Sequence, residues 1–221
     1  MSAGKRYKFN GSQFKVQTSI SSTAKEITAI TKADPAVVSS TSHGYVTGDV
    51  VKMTIDAGSM YELNGNLYVV DNEAAGTYEL AGTDSTDYTT FAAGSPFDYS
   101  QVVVFSTFCE LTGANQQDAG ADTIEVSTIC SDAKEFEQGL SDSGTLTLDF
   151  NWAGNETVQA ALTAAKISGD QTAFKITMPN SGGTIVMIGT VQSTSFQGAV
   201  NGVWTASAQI KLSGRVFVFA A

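Results

Sequence analysis

Apolar and polar residues alternate along most of this chain, and the period changes clearly only once. In Thr145-Leu146-Thr147-Leu148-Asp149-Phe150 the apolar side chains at 146, 148 and 150 share one face, as a half-buried antiparallel strand requires. Strand composition also marks 101–111, 123–129, 144–150, 173–178, 184–191, 204–212 and 215–219. Asn180-Ser181-Gly182-Gly183 supplies the turn residues for a hairpin between the two strands that flank it. The change of period falls at 156–168, where Val158, Ala161, Leu162 and Ala165 recur at helical spacing while Glu156, Gln159 and Lys166 face away. Asn155 is positioned to cap the first-turn amides, Glu156 meets the positive end of the dipole, and Gly169 supplies the left-handed stop. One helix among many strands is expected to lie across a sheet and bury its small-residue face there.

Between these longer strands lies a stretch of a different grain. Short strands at 27–31, 37–40, 50–55, 67–70 and 78–80 are each closed by Gly, Asn, Asp or Pro35, the pattern of a small all-β module. Asn64-Gly65 predicts a tight primed turn, since both positions tolerate positive φ. Charge marks the same seam: from Ala24 to Gly94 only Lys25, Lys32 and Lys52 offset a large acidic excess. The expected organisation is a discontinuous domain of 1–25 and 95–221, carrying an inserted β module at 26–94. The fold class is therefore mainly β with one flanking α-helix.

Composition narrows the function by exclusion. A net charge of -10 opposes affinity for nucleic acid, because each phosphate contact requires a cation. Lys5, Arg6 and Lys8 are not followed by the apolar stretch of a signal peptide, and Val102 to Phe105 is too short an apolar run to cross a bilayer. Without a secretory signal, Cys109 and Cys130 are expected to stay reduced.

No candidate chemistry gathers into a site. His43, in Ser42-His43-Gly44, is the only histidine and reads as a turn or packing residue. Asp84-Ser85-Thr86-Asp87 lacks the glycine and terminal glutamate of a calcium loop, and reads as a solvated turn. Neither cysteine has a CxxC partner, so no zinc site is expected. Glu135 and Glu137 could pair as glycosidase carboxylates, but their surroundings are poor in the aromatics that line sugar clefts. In Asn155-Glu156-Thr157 helix capping explains the asparagine better than glycosylation. No catalytic residue, cofactor site or metal site is assigned.

The segment Phe105-Ser106-Thr107-Phe108-Cys109-Glu110-Leu111-Thr112-Gly113, followed by Thr128-Ile129-Cys130-Ser131-Asp132 and Asp149-Phe150-Asn151-Trp152, resembles the major tail tube proteins of lambda-like siphophages. The likeness runs on through Gly189-Thr190-Val191, Phe196, Trp204 and Ile210-Lys211-Leu212-Ser213-Gly214. The middle part resembles small β modules inserted in phage structural proteins, with Ile27-Thr28-Ala29-Ile30-Thr31, His43-Gly44, Gly48-Asp49-Val50-Val51 and Glu62-Leu63-Asn64-Gly65 as its marks. The resemblance implies a β-sandwich or barrel-like subunit without enzymatic activity. Hexameric rings of it would stack into a virion tail tube assembled in the host cytoplasm. It also implies a tape measure protein in the lumen, tail terminator and distal tail or tip proteins at the ends, and DNA passing through unbound.

Two groups of residues follow as expected sites. The segment between the 111 and 123 strands, with Thr112, Gly113, Asn115, Gln116, Gln117, Asp118 and Asp122, lacks apolar anchors and is expected to be a mobile loop that contacts the next ring. From Glu110 to Asp149 Lys134 is the only cation among many carboxylates. Glu125, Asp132, Glu135, Glu137 and Asp149 are accordingly expected at the lumen, where like charge lets DNA slide. The inserted module is expected to be an external decoration that tube formation can do without. The rival readings are another ring-forming tail component, such as a distal tail or tail completion protein, and a carbohydrate-binding sandwich using Tyr61, Tyr68, Tyr78, Tyr88 and Trp152.

Overall fold

The computed structural model describes residues 6–56, 58–94, 98–118, 120–130 and 132–220. Lys5, Ala119, Ser131 and the expected seam at residue 95 lie outside them. The strands are β1 (Gln13–Ile20), β2 (Lys25–Glu26), β3 (Ala29–Ile30), β4 (Ala36–Ser39), β5 (Val50–Thr54), β6 (Leu67–Ala74), β7 (Thr77–Leu80) and β8 (Tyr99–Thr107). They continue as β9 (Leu111–Gln117), β10 (Gly120–Glu125), β11 (Phe136–Asp142) and β12 (Thr145–Asn151). After the helix α1 (Thr157–Ser168) come β13 (Gln171–Thr177), β14 (Thr184–Gln197), β15 (Thr205–Leu212) and β16 (Phe217–Phe219).

One sheet runs through the molecule in the order β3-β4-β7-β6-β5-β8-β1-β13-β14-β15-β12-β9, with β2 on β8 and β16 on β14. Its pairings are antiparallel, and β10 and β11 form a separate two-stranded ribbon. Two layers arise because β14 spans both. Its first half pairs with β13, and past a bulge at Val191/Ser193 its second half pairs with β15 alone. Phe14, Val16, Phe174 and Met187 of one layer thus meet Leu146, Leu148, Phe150, Ala208 and Ile210 of the other, with Val158 and Leu162 of α1 closing the core. The helix forms where the spacing placed it and buries Val158 and Leu162. Gln159, expected to face away, is buried too, its side-chain amide accepting from the Ala153 amide and donating to the Asn151 carbonyl. The cap is Glu156. That carboxylate accepts the amides of Val158 and Gln159 at 2.8 and 3.0 Å, where Asn155 had been expected. Gly169 ends the helix at φ 74°.

A second core belongs to the middle strands, built on Ile27, Val38, Met53, Leu63, Tyr78 and Leu80. His43 is buried in it with both ring nitrogens engaged. Nε2 donates to the Ala74 carbonyl at 2.8 Å, and Nδ1 accepts the Tyr45 amide at 3.1 Å. It packs against the rings of Tyr45 and Tyr78, which is a packing role with no nitrogen left for a nucleophile. Burial pushes the Tyr78 phenol up, and its hydroxyl donates to Ser100 Oγ of β8 at 2.9 Å. Asn64-Gly65 does not make the primed turn. Asn64 has φ -65° and ψ 134° and Gly65 φ 80°, a type II geometry following a 3-10 turn at Tyr61–Leu63.

A third cluster joins the two parts. Val50, Leu67 and Val69 from β5 and β6 pack with Val103, Ala173, Val186 and Ile188, and Phe105, Phe217 and Phe219 close over them. Lys175 reaches Asp49 at 3.7 Å across the same boundary, and β5 pairs directly with β8. The middle strands are therefore wedged into the sheet rather than tethered to it.

Candidate assembly interface

The four strands β14, β15, β12 and β9 form a layer whose two faces differ in kind. Cross-strand register puts Leu146, Leu148 and Phe150 in rows with Ile210, Ala208 and Ala206 on the core side. On the opposite face the rows read Asn115, Thr147, Gln209, Ser193 and then Gly113, Asp149, Ser207, Ser195. That face is polar and nearly free of charge, carrying Asp149 and, at its end, Lys211. Its margins carry unused hydrogen-bonding groups. Among the described residues β9 pairs only with β12, and no strand pairs with β14 beyond 191 on the side that faces away from β15.

The segment expected to be a loop is mostly strand. Thr112, Gly113, Asn115, Gln116 and Gln117 lie in β9, held in one register from Thr145↔Gln117 to Asp149↔Gly113 and shifted by a bulge before Phe150↔Leu111, and Asp122 lies in β10. The polar sequence forms a strand because β12 offers it a backbone ladder. Only Asp118 remains in the connection, where its carboxylate accepts the Gly120 amide at 3.1 Å.

The ribbon β10–β11 continues β9 and β12 past this break. Gly144 makes the break close enough, since at φ 79° a Cβ there would sit 1.9 Å from the Gln117 carbonyl oxygen. Lys211 clamps the root, donating to both Asp142 oxygens at 2.5 and 2.6 Å. That ammonium first, and then the Gly144 amide, hold the Asp142 carboxyl below its ordinary value. At the tip the Val126 amide donates to the Glu135 carbonyl at 2.9 Å, and Lys134 pairs with Glu125 at 2.9 Å.

The five carboxylates expected at a lumen are not brought together. Asp149 alone lies on the polar four-stranded face; Glu125, Asp132, Glu135 and Glu137 belong to the ribbon and its tip. Cys109 and Cys130 are free and exposed. The Asp84 carboxylate accepts the amide and hydroxyl of Thr86 at 3.0 and 2.7 Å, an ordinary Asx turn. No helix among the described residues is long and apolar enough to cross a membrane.

Sequence reading missed an exposed aromatic cluster at the end of the layer opposite the ribbon. Trp152 stacks on Phe196 with ring centroids 5.5 Å apart, and Phe196 meets Trp204 at 6.1 Å. The available signal was the parity of the positions, since 152 and 204 continue the inward series of β12 and β15.

Comparison with known proteins gives a match to the family model described as lambda phage tail tube protein, TTP, over residues 89–218. No curated protein matches. Among solved structures, the chain is similar to one in the tail of an empty gene transfer agent particle computed with helical refinement and C6 symmetry. The identity is 19%, the TM-score 0.41, and the match covers 53% of this chain and 87% of that one. A chain of the virion of a native gene transfer agent particle is 17% identical with a TM-score of 0.41, over 52% of this chain and 89% of that one. The SPP1 tail tube is 13% identical with a TM-score of 0.39, over 53% of this chain and 69% of that one.

Proposed function

The chain belongs to the lambda phage tail tube protein family, and on that premise we propose that it is a virion structural subunit whose copies join sheet to sheet into rings, the rings stacking coaxially into a tail tube for DNA. The observation that carries this reading is the pair of unpaired margins on a single layer with a polar outer face. When β9 of one copy lies along 191–197 of the next, both rows of amides and carbonyls are satisfied, and repetition of the same contact closes a circle. Six subunits is the ring number that the family resemblance implies.

In that circle the face bearing Asn115, Thr147, Asp149, Ser207 and Gln209 becomes the wall of the bore. Hydroxyls and amides without a field of cations give DNA little to hold, so it passes through unbound. Asp149 is the lumen carboxylate of the set, while Asp118, Asp122 and the ribbon beyond β9 lie toward the next ring. A tape measure protein occupies the bore during assembly in the host cytoplasm, and tail terminator and distal tail or tip proteins close the ends. The subunit does no catalysis. The inserted module of 26–94 stands beside the ring-forming domain of 1–25 and 95–221.

Electron microscopy of the purified chain at rising concentration, alone and with its tail-initiating partners, tests the reading. Long hollow tubes are expected. Single rings that never stack would instead support a distal tail or tail completion component, and material that stays monomeric beside its tail-initiating partners would overturn the proposal.

A further inference from the structure

Trp152, Phe196 and Trp204 are a piece of core face with nothing over it. The even-numbered side chains of β12 and β15 point inward, and Phe196 shares a row with Ala206 and Phe150. Trp152 and Trp204 form the next inward row, joined by the Trp152 amide donating to the Trp204 carbonyl at 2.8 Å. A side chain in such a row is ordinarily covered, yet these three are 42%, 65% and 55% exposed. Gly198 completes the row, with the Trp204 ring so near that a Cβ would lie 2.8 Å from it. Val200 and Val203, 93% and 71% exposed, extend the apolar area over the turn between β14 and β15. An uncovered apolar patch of this kind marks an interaction surface.

The far end of β12 holds the complementary piece, about 20 Å away at roughly 3.3 Å per residue. There the ribbon presents Ile124, Ile129, Phe136 and Leu140, at 54%, 102%, 57% and 90% exposure. A lone two-stranded ribbon is marginal in water, and these residues have no core within the subunit to enter. Charge favours the same match. The ribbon is acidic, with Lys134 its one cation among the described residues, while Arg6 and Lys8 are exposed cations outside it. They precede Phe9, which lines a groove with Leu111 and Thr112, and Thr112 also lines the groove that holds Phe196.

Resting on the ring-and-tube reading above, we propose that the Trp152–Phe196–Trp204 patch is the seat for the ribbon tip of a second copy in the adjoining ring. Patch and tip lie at opposite ends of one subunit, so the contact is head to tail and joins a copy in one ring to a copy in the next. It propagates along the tube axis. It also completes on assembly a core that the free subunit leaves open.

Proximity between copies tests this directly. Cys130 lies beside Ile129 at the ribbon tip, so Val203→Cys in a Cys109→Ser background puts the second thiol on the patch. Treatment of assembled tubes with a short bismaleimide is expected to give a ladder of covalent oligomers on denaturing gels. The same chain with Cys130→Ser should give none. Phe196→Ala with Trp204→Ala, both exposed sites, should keep the monomer's circular dichroism while lowering the sedimentable tube fraction at least about tenfold, as loss of aromatic anchors does. Tubes that show no ladder, or that form at wild-type yield from the alanine variant, overturn this inference and leave the ring reading standing. A wild-type chain that forms no tubes overturns both.

Discussion

At the scale of single residues, two positions at the root of the ribbon carry the sharpest expectations. Gly144 combines a left-handed backbone with a built Cβ 1.9 Å from the Gln117 carbonyl oxygen. Gly144→Ala must both adopt that strained φ and push β9 away from β12, and should cost about 2–4 kcal/mol in chemical denaturation. An alanine variant with an unshifted midpoint would show that the two strands are not held at this spacing.

Asp142 gives a pH dependence of known sign. Its carboxyl is held below the ordinary 3.8 by the Lys211 ammonium, and then by the Gly144 amide. A depressed folded value means that the clamp contributes fully above the unfolded value and is lost as pH falls through the folded one. Ribbon amides should therefore keep their hydrogen-exchange protection down to about pH 4 and lose it below. Asp142→Asn should already show the low-pH protection at pH 7.

At the scale of elements, the wedge between the two parts changes what excision should do. Removing 26–94 strips Val50, Leu67 and Val69 from Val103, Ala173, Val186 and Ile188. It also removes the surface under Phe217 and Phe219, which pack beside Gly82 and Gly48. A simple deletion with a short linker is expected to aggregate, and replacing Val186 and Ile188 with threonine should recover solubility. A soluble, fully folded product from the simple deletion would show that the third cluster contributes little and that the module is a dispensable decoration.

What was legible at this scale follows from where each strand finds its partner. β12, β13 and β15 bury one face in the main core, so their alternation carries the signal, and Val158 with Leu162 marks α1 for the same reason. β9 was unreadable because Gly113-Ala114-Asn115-Gln116-Gln117 has no strand propensity of its own and is made a strand by β12. β11 has no core face at all, so Phe136 and Leu140 stand among acidic residues without a period to betray them. The helix cap is one residue later than expected because the Glu156 side chain accepts the Val158 and Gln159 amides of the first turn that Asn155 was expected to serve. The aromatic patch was hidden for a related reason: positions 152, 196 and 204 come together only through register across three strands.

At the scale of the whole molecule, a net charge of -10 is compatible with a DNA conduit only if the wall neither binds nor strongly repels the backbone. As the proposed wall of the bore, the polar face meets that condition through hydroxyls and amides. Ser207→Lys combined with Gln209→Lys should leave tube formation intact while creating salt-sensitive retention of DNA, since each new phosphate contact adds about 0.9 to the slope of log affinity against log salt. Tubes that bind DNA no better after this change would mean that the face does not line the bore.

In the proposed tube the unpaired margins of one layer join copy to copy around a bore. A cryo-electron microscopy reconstruction of the assembled tube tests it most directly. The expected map shows β9 of each subunit hydrogen-bonded to 191–197 of its neighbour, with Thr147, Asp149, Ser207 and Gln209 facing the channel. A map in which those two margins remain solvent-exposed, or in which that row of side chains points outward, would contradict it.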